Sequence, residues 1–218
     1  MIAPEIPTKT VERLSRYRRI VRERSDGGAI SLFSYELAKL AGGSAAQVRR
    51  DLMAIGCSGS PIYGYKIDTL VEAIGLAIDG ATEQRMVLVG LGHLGAALVD
   101  FVERYCPKLV IFAAFDIDPS KIGRVHHGVR VYSVESIGQI VAEQQIRIAI
   151  LAVPGEAAQA VADGLVAAGV HGILNFAPSV IRTPINVYVE QTEITATLEK
   201  VAYFARHYGA QQKQRKER

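Results

Sequence analysis

An apolar run, Met86-Val-Leu-Val89, opens directly into Gly90-x-Gly92-x-x-Gly95, and a second apolar run over 109–115 ends on Asp116. Strand, tight turn, helix and second strand, with a carboxylate twenty-one residues past the last glycine, leave few alternatives for the fold. Gly90 permits the turn, Gly92 lets the backbone approach a pyrophosphate, and Gly95 lets the helix pack close to the strand. The loop residues Leu91, His93 and Leu94 place the first helical N–H groups, and the positive end of the helix dipole, at the phosphates. At the tip of the second strand, Asp116 is positioned to accept hydrogen bonds from a ribose 2′-hydroxyl. A 2′-phosphate would meet that carboxylate, so NAD(H) is expected over NADP(H).

The glycine motif starts only after about eighty residues, enough chain for a separate domain ahead of it. Net charge is +3, but unevenly spread: residues 1–66 hold eleven Lys/Arg against six Asp/Glu, and the remainder fourteen against sixteen. A basic first domain points to an anionic partner. The two cysteines, Cys57 and Cys106, have neither disulfide nor metal-site spacing, which implies a reducing compartment. The first residues lack a signal-peptide pattern and no apolar run reaches transmembrane length, so a cytoplasmic protein without a membrane partner is expected.

In the first domain, apolar residues at 11, 14, 17, 20 and 21 predict a helix over 10–24, stopped by Asp26-Gly27-Gly28. Ser34 is expected to cap a short helix over 35–41 that Gly42-Gly43 ends. Ser44-Ala-Ala-Gln47 reads as a capping box opening a third helix, which buries Val48, Leu52 and Ile55. Its opposite face carries Ala46, Gln47, Arg49, Arg50 and Met53. Two helices joined by a tight turn, the second presenting Gln and Arg outward, suit the major groove of DNA. Arg can bond guanine and Gln adenine in bidentate fashion. Gly56, Gly59, Ser60, Pro61 and Gly64-Tyr65-Lys66 predict a β-ribbon, the wing, and a connecting helix follows.

Further strands are expected over 130–134, 147–153, 172–176 and 186–191, with helices over 135–145 and 156–168 between them. This alternation predicts a mostly parallel, doubly wound sheet. Val153-Pro154 and the segment 175–178, with Asn175, Ala177 and Pro178, end two strands at the carboxyl edge, where ligands bind in such sheets. His126 and His127 lie in a glycine-bounded polar stretch expected to be solvated. No Ser/His/Asp set and no metal quartet can be assembled, so no catalytic residue or metal ligand is assigned. A last amphipathic helix over 195–208 comes after the sheet is complete, and its apolar face predicts a dimer. The basic tail over 211–218 is expected to be disordered.

The fold class is thus α/β: a winged-helix domain and connecting helix over 1–80, a Rossmann-like nucleotide-binding domain over 81–192, and a C-terminal helix and basic tail over 193–218. In this order Gln47-Val-Arg-Arg-Asp-Leu52, Ile55-Gly56, Gly59, Gly64-Tyr65, Gly90-Leu-Gly-His-Leu-Gly95, Phe115-Asp116-Ile-Asp118-Pro119, Val153-Pro154 and Gly172-Ile-Leu-Asn-Phe-Ala-Pro178 resemble the Rex family of bacterial repressors. The resemblance implies a homodimer that binds operator DNA at an inverted repeat and senses the NADH/NAD⁺ ratio. NADH is then a sensed ligand, not a redox cofactor, and the protein is not an enzyme. It implies DNA contacts by Ser44, Gln47, Arg49, Arg50, Tyr65 and Lys66, and adds Asp118 to the nucleotide contacts. It also implies that the C-terminal helix is exchanged between subunits and that Arg19 pairs with the acid at Glu193. The chain departs from the family pattern at Ile55 (usually Phe), Ile62 (usually Gly) and Glu193-Ile194 (often Asp-Phe). Two other classes compete. An NAD-dependent oxidoreductase would need an acid/base group facing the nicotinamide, and a CoA-binding module of similar fold would not need Asp116.

Overall fold

The protein is described by a computed structural model covering residues 6–79, 82–106 and 108–216, with side chains to Tyr208. It divides into two compact units, Met1–Glu83 and Gln84–Arg218.

The first unit contains α1 (Thr8–Asp26), β1 (Ser31–Leu32), α2 (Ser34–Ala41), α3 (Ala45–Ala54), β2 (Tyr65–Lys66) and α4 (Ile67–Asp79). Leu14, Tyr17 and Val21 recur at three- and four-residue intervals, forming one stripe of α1 buried against Leu37, Val48, Leu52, Leu70 and Ile74. Gly42 ends α2 in the left-handed region at φ 70°, a conformation glycine adopts without Cβ strain. Two local expectations are corrected. The N-cap of α2 is Phe33, whose N–H donates to the Glu36 carboxylate at 2.7 Å; Ser34 is already inside the helix. At α3 only half of the capping box forms. Ser44 Oγ accepts from the Gln47 N–H at 3.2 Å, but the Gln47 amide turns away to Asp51 and Arg50. The wing is minimal: Ser60 and Gly64 exchange backbone hydrogen bonds, and β2 pairs antiparallel with β1, ahead of α2.

The second unit holds a seven-stranded sheet in the order β5-β6-β4-β3-β7-β8-β9. Its strands are β3 (Gln84–Val89), β4 (Leu109–Asp116), β5 (Val125–His126), β6 (Val129–Ser133), β7 (Ile148–Leu151), β8 (Gly172–Asn175) and β9 (Tyr188–Gln191). All neighbouring pairs are parallel except β5 with β6, an antiparallel edge hairpin that the sequence reading missed. Side chains alternate between the two faces. Val87, Val89, Phe115 and Leu151 pack under α6 (Ile137–Glu143) and α7 (Gly155–Ala167). Met86, Leu88, Ala114 and Ile150 pack with Val99 and Val102 of α5 (His93–Tyr105). Burial of both faces explains why these strands read as continuous apolar runs. From β3 the chain proceeds to β4 on one side, and β7 lies on the other, so β3 marks the topological switch point.

α8 (Ile194–Lys216) runs past the expected end at Tyr208, so the tail expected to be disordered is helical through Lys216; residues 217 and 218 lie outside the description. Every residue of α8 from Ile194 to Tyr208 is exposed, Leu198, Val201 and Phe204 included. Among the described residues no helix is long and apolar enough to cross a membrane.

Candidate functional site

The carboxyl edge of the sheet at the switch point is built by sterics. Gly90 follows β3 at φ 93°, and a Cβ there would overlap the Ala152 carbonyl at the end of β7. A Cβ on Gly95 would overlap the Gly90 carbonyl oxygen, so helix and loop touch through bare backbone. Gly92, the N-cap of α5, is the opposite case: nothing lies within 4 Å of its Cβ position. The approach to the helix N-terminus is therefore open, with His93 and Leu94 exposed beside it, which fits a pyrophosphate.

Asp116 closes β4 with 7% of its surface exposed. Its Oδ2 accepts from the Leu91 N–H at 2.9 Å and from Lys121 Nζ at 3.0 Å, and its Oδ1 accepts from the Asp118 N–H at 2.9 Å. Burial pushes this carboxyl up, but the Asp118 N–H, the Lys121 ammonium and the Leu91 N–H outweigh it and hold it below the usual carboxylate range. Asp116 is thus an ionised clamp between the glycine loop and the 116–121 turn. Lys121, unmarked in the sequence reading, puts a cation beside the acid, so the expected bare negative charge is corrected to a paired one. Asp118 is only partly buried; its Oδ1 accepts from the Ser120 N–H, and the amide and hydroxyl of Ser120 hold its carboxyl low.

At the ends of β7 and β8, Val153 and Pro154 reach the surface, and Pro178 is exposed beside them, close to where Gly155 starts α7. Asn175 and Ala177 are corrected. Asn175 is fully buried, donating to Ser179 O (2.9 Å) and Gln191 Oε1 (2.7 Å) while accepting from the Ala177 N–H (3.0 Å). With those polar atoms engaged inside, it shapes the 175–179 loop; Ala177, 1% exposed, is core. A cavity of about 390 Å³ lies between this loop and the start of α8, lined by Pro178, Ser179, Gln191, Glu193 and Ile194 among others.

In the first unit, α3 presents Arg49 and Arg50 to solvent. Arg49 Nη1 donates to Ser34 Oγ at 3.1 Å, and Arg50 Nη2 donates to Gln47 Oε1 at 2.8 Å. Beneath them lies Asp51, 3% exposed. It accepts from Arg13 Nε (2.6 Å), Arg13 Nη2 (2.8 Å), the Tyr17 hydroxyl (3.0 Å) and Gln47 Nε2 (2.9 Å). Burial and the bond to Asp51 push the Tyr17 hydroxyl up to about 12. Gln47, expected to read bases, is therefore held by its own helix at both ends of its amide. Tyr65 is corrected as a DNA contact: it is 8% exposed, with its ring under Gly59, and it anchors the wing from inside. Lys66 is exposed, and the wing tip instead shows Tyr63, 73% exposed, which the sequence reading passed over. Arg19 lies 3.9 Å from Glu23 on its own helix, and Glu193 is exposed.

The chain matches two family models: a putative DNA-binding protein N-terminus over residues 5–52 and a CoA binding domain over 81–179. It is 36% identical over 95% of its length to a redox-sensing transcriptional repressor Rex of Leuconostoc citreum, of which it covers 96%. It is also 36% identical to the Rex of Ligilactobacillus salivarius, over 96% of this chain and 99% of that one. Among solved structures it resembles RSP, a Rex-family repressor, with a TM-score of 0.84 at 29% identity, covering 95% of this chain and 98% of RSP. RSP in complex with β-NAD⁺ and operator DNA matches at 0.86 and 28% identity over 97% of both chains. RSP with β-NADH matches at 0.83 and 28% identity, covering 95% of this chain and 98% of that one.

Proposed function

The chain belongs to the Rex family of redox-sensing transcriptional repressors, and on that premise we propose that it binds operator DNA as a cytoplasmic homodimer and releases it when NADH rises. The observation that carries this reading is the union, in one chain, of a basic helix-turn-helix with a nucleotide edge left open at Gly92 and closed by an ionised Asp116. The dinucleotide acts as a ligand. Gly90, Leu91, Gly92, His93, Leu94 and Gly95 would seat its pyrophosphate. Asp116, Asp118 and Lys121 would border its ribose, and Val153, Pro154 and Pro178 its nicotinamide. α8, exposed along its whole described face, is the dimer element, exchanged between subunits.

A dimer with one recognition helix per subunit demands half-sites related by a two-fold, hence an inverted repeat. Arg49→Ala and Arg50→Ala are each expected to weaken operator binding about 5- to 150-fold, the equivalent of about 1–3 kcal/mol for a base-reading contact. A gel-shift titration in which both variants bind as tightly as the parent chain would remove α3 from the interface.

NADH can displace the operator only by binding the closed dimer better than the DNA-competent one. The operator must then weaken NADH binding by the same factor, about 5- to 150-fold for couplings of about 1–3 kcal/mol. NAD⁺ favours closure less because its charged nicotinamide suits an apolar interface poorly. The lever is a contact between Arg19 of one subunit and Glu193 of the other. Glu193→Gln is expected to reduce the NADH–operator coupling while leaving each ligand able to bind, as calorimetry with and without operator would measure. Unchanged coupling would place the switch elsewhere. Coenzyme A, suggested by the domain match over 81–179, is expected to leave operator affinity unmoved in the same titration.

A further inference from the structure

Away from the glycine loop, three side chains converge at one edge of the second unit. Asp100 projects from α5, and His126 and His127 come from the hairpin between β5 and β6. One ligand atom from each lies within 4.8 Å of the others. Asp100 Oδ1 stands 2.7 Å from His127 Nδ1, close enough for an ion pair but misaligned for a hydrogen bond. That oxygen and His126 Nε2 are both sealed from solvent without a hydrogen-bond partner, although their residues are not in the core. Buried polar atoms are nearly always partnered; His126 Nε2 has none and Asp100 Oδ1 has only the His127 contact, which leaves both with capacity for a shared ligand. The expectation of a solvated His126 is corrected accordingly.

The turn of the hairpin fixes the placement of both histidines. His126 pairs with Val129, leaving a two-residue turn in which His127 (φ 45°) and Gly128 (φ 78°) are both left-handed. Asn, Asp or Gly is the usual choice at the first position of such a turn, and His is among the few other residues that tolerate it. The turn brings the two rings to 4.5 Å between centroids, on the side facing Asp100.

We propose that Asp100, His126 and His127 bind a divalent transition-metal ion, with Zn²⁺ the best match to the donor set. Two neutral imidazoles and a carboxylate suit Zn²⁺ at about 2.0–2.2 Å per ligand, and the three ligand atoms already lie within 4.8 Å of one another. Magnesium and calcium prefer all-oxygen shells and are disfavoured. Water, or Glu103 one turn along α5, completes a tetrahedron; Glu103 and His127 line the same groove of about 250 Å³. The ion would tie α5, whose N-terminus forms the glycine loop, to the edge hairpin of the same sheet.

The test titrates Zn²⁺ into the chelator-stripped full chain by calorimetry, with Mg²⁺ as the hard-ion comparison and Co²⁺ as a spectroscopic probe. One Zn²⁺ per chain is expected, with no heat from Mg²⁺ and a tetrahedral Co²⁺ spectrum without thiolate charge transfer. Asp100→Asn and His126→Ala should each weaken Zn²⁺ at least about tenfold, the lower end of what outer-shell changes alone already cost. His127→Asn is the variant that keeps the turn, since Asn tolerates the left-handed position, and it should lose Zn²⁺ while keeping the parent circular dichroism spectrum. Cys106→Ser should bind as the parent does. Absence of Zn²⁺ binding, parent-like affinity in His127→Asn and Asp100→Asn, or loss of binding in Cys106→Ser would each overturn the site.

Discussion

Asp51→Asn is expected to destabilise the first unit by about 2–4 kcal/mol, although Asp51 sits in α3, the helix proposed to face DNA. The carboxylate accepts four hydrogen bonds at 3.0 Å or less, from Arg13 (two), Tyr17 and Gln47. Asparagine keeps the shape but replaces one acceptor oxygen by a donor, which then faces the donors of Arg13 or Tyr17. The Tyr17 hydroxyl is 2% exposed as a residue and cannot turn to water. Arg13 is 30% exposed along its side chain, so part of its loss is recovered by solvent, which keeps the figure below that of a fully buried pair.

The same network sets a pH dependence. Burial pushes the Asp51 carboxyl up, but the bonds from Arg13, Gln47 and Tyr17 prevail and hold it below the ordinary value. A carboxyl lower in the folded than in the unfolded chain stabilises fully above the unfolded value, about 3.9, and loses that contribution as pH falls through the folded value. Parent and Asp51→Asn stabilities should therefore differ most at neutral pH and converge in acid. Urea unfolding followed at several pH values, with hydrogen exchange reporting α1 and α3, measures this directly. Equal stability at pH 7 would mean that the network contributes nothing net.

Gly95→Ala is expected to cost about 1–3 kcal/mol and to remove most NADH affinity. The new methyl would overlap the Gly90 carbonyl oxygen and touch Leu88 Cδ2 at 3.4 Å. Gly90 cannot retreat: its N–H donates to Phe115 O at 2.8 Å, and Ala152 blocks it from the other side. The N-terminus of α5 has to move instead, loosening Val99 and Val102 and misplacing the N–H groups proposed to seat the phosphates. One lost charge-assisted bond costs about 1.5–3 kcal/mol, or about 10- to 150-fold in affinity. Gly92→Ala is the matched comparison, because its Cβ meets nothing within 4 Å. It should keep the parent stability and still weaken NADH, whose backbone approach it obstructs. Operator binding without NADH should survive both changes. Parent-like NADH affinity in Gly95→Ala would show that the helix N-terminus does not seat the phosphates.

Periodicity carried much of the fold in the bare sequence. The central strands, buried on both faces, read as unbroken apolar runs, and α1 and α3 read through stripes at three- and four-residue spacing. The glycine triplet was legible because its constraints are local: Gly90 needs a left-handed turn, and Gly95 meets a carbonyl only five residues back. Arg49 and Arg50 were legible as solvent-facing for the same reason, being set by helical phase alone. What depended on distant partners was hidden. Asp51 became a buried anchor only when α1 brought Arg13 to it across thirty-eight residues. Tyr65 and Asn175 looked available until packing enclosed them, and Asp116 looked like a bare acid until a turn returned Lys121 to its side. His127 is exposed as expected, but His126 passed for solvated because the aspartate beside it lies on another element, α5. A sequence encodes which face of each helix or strand avoids water, since that follows from local geometry. Which polar groups meet across elements depends on crossing angles and on loop paths closed only by packing, and those the tertiary structure alone decided.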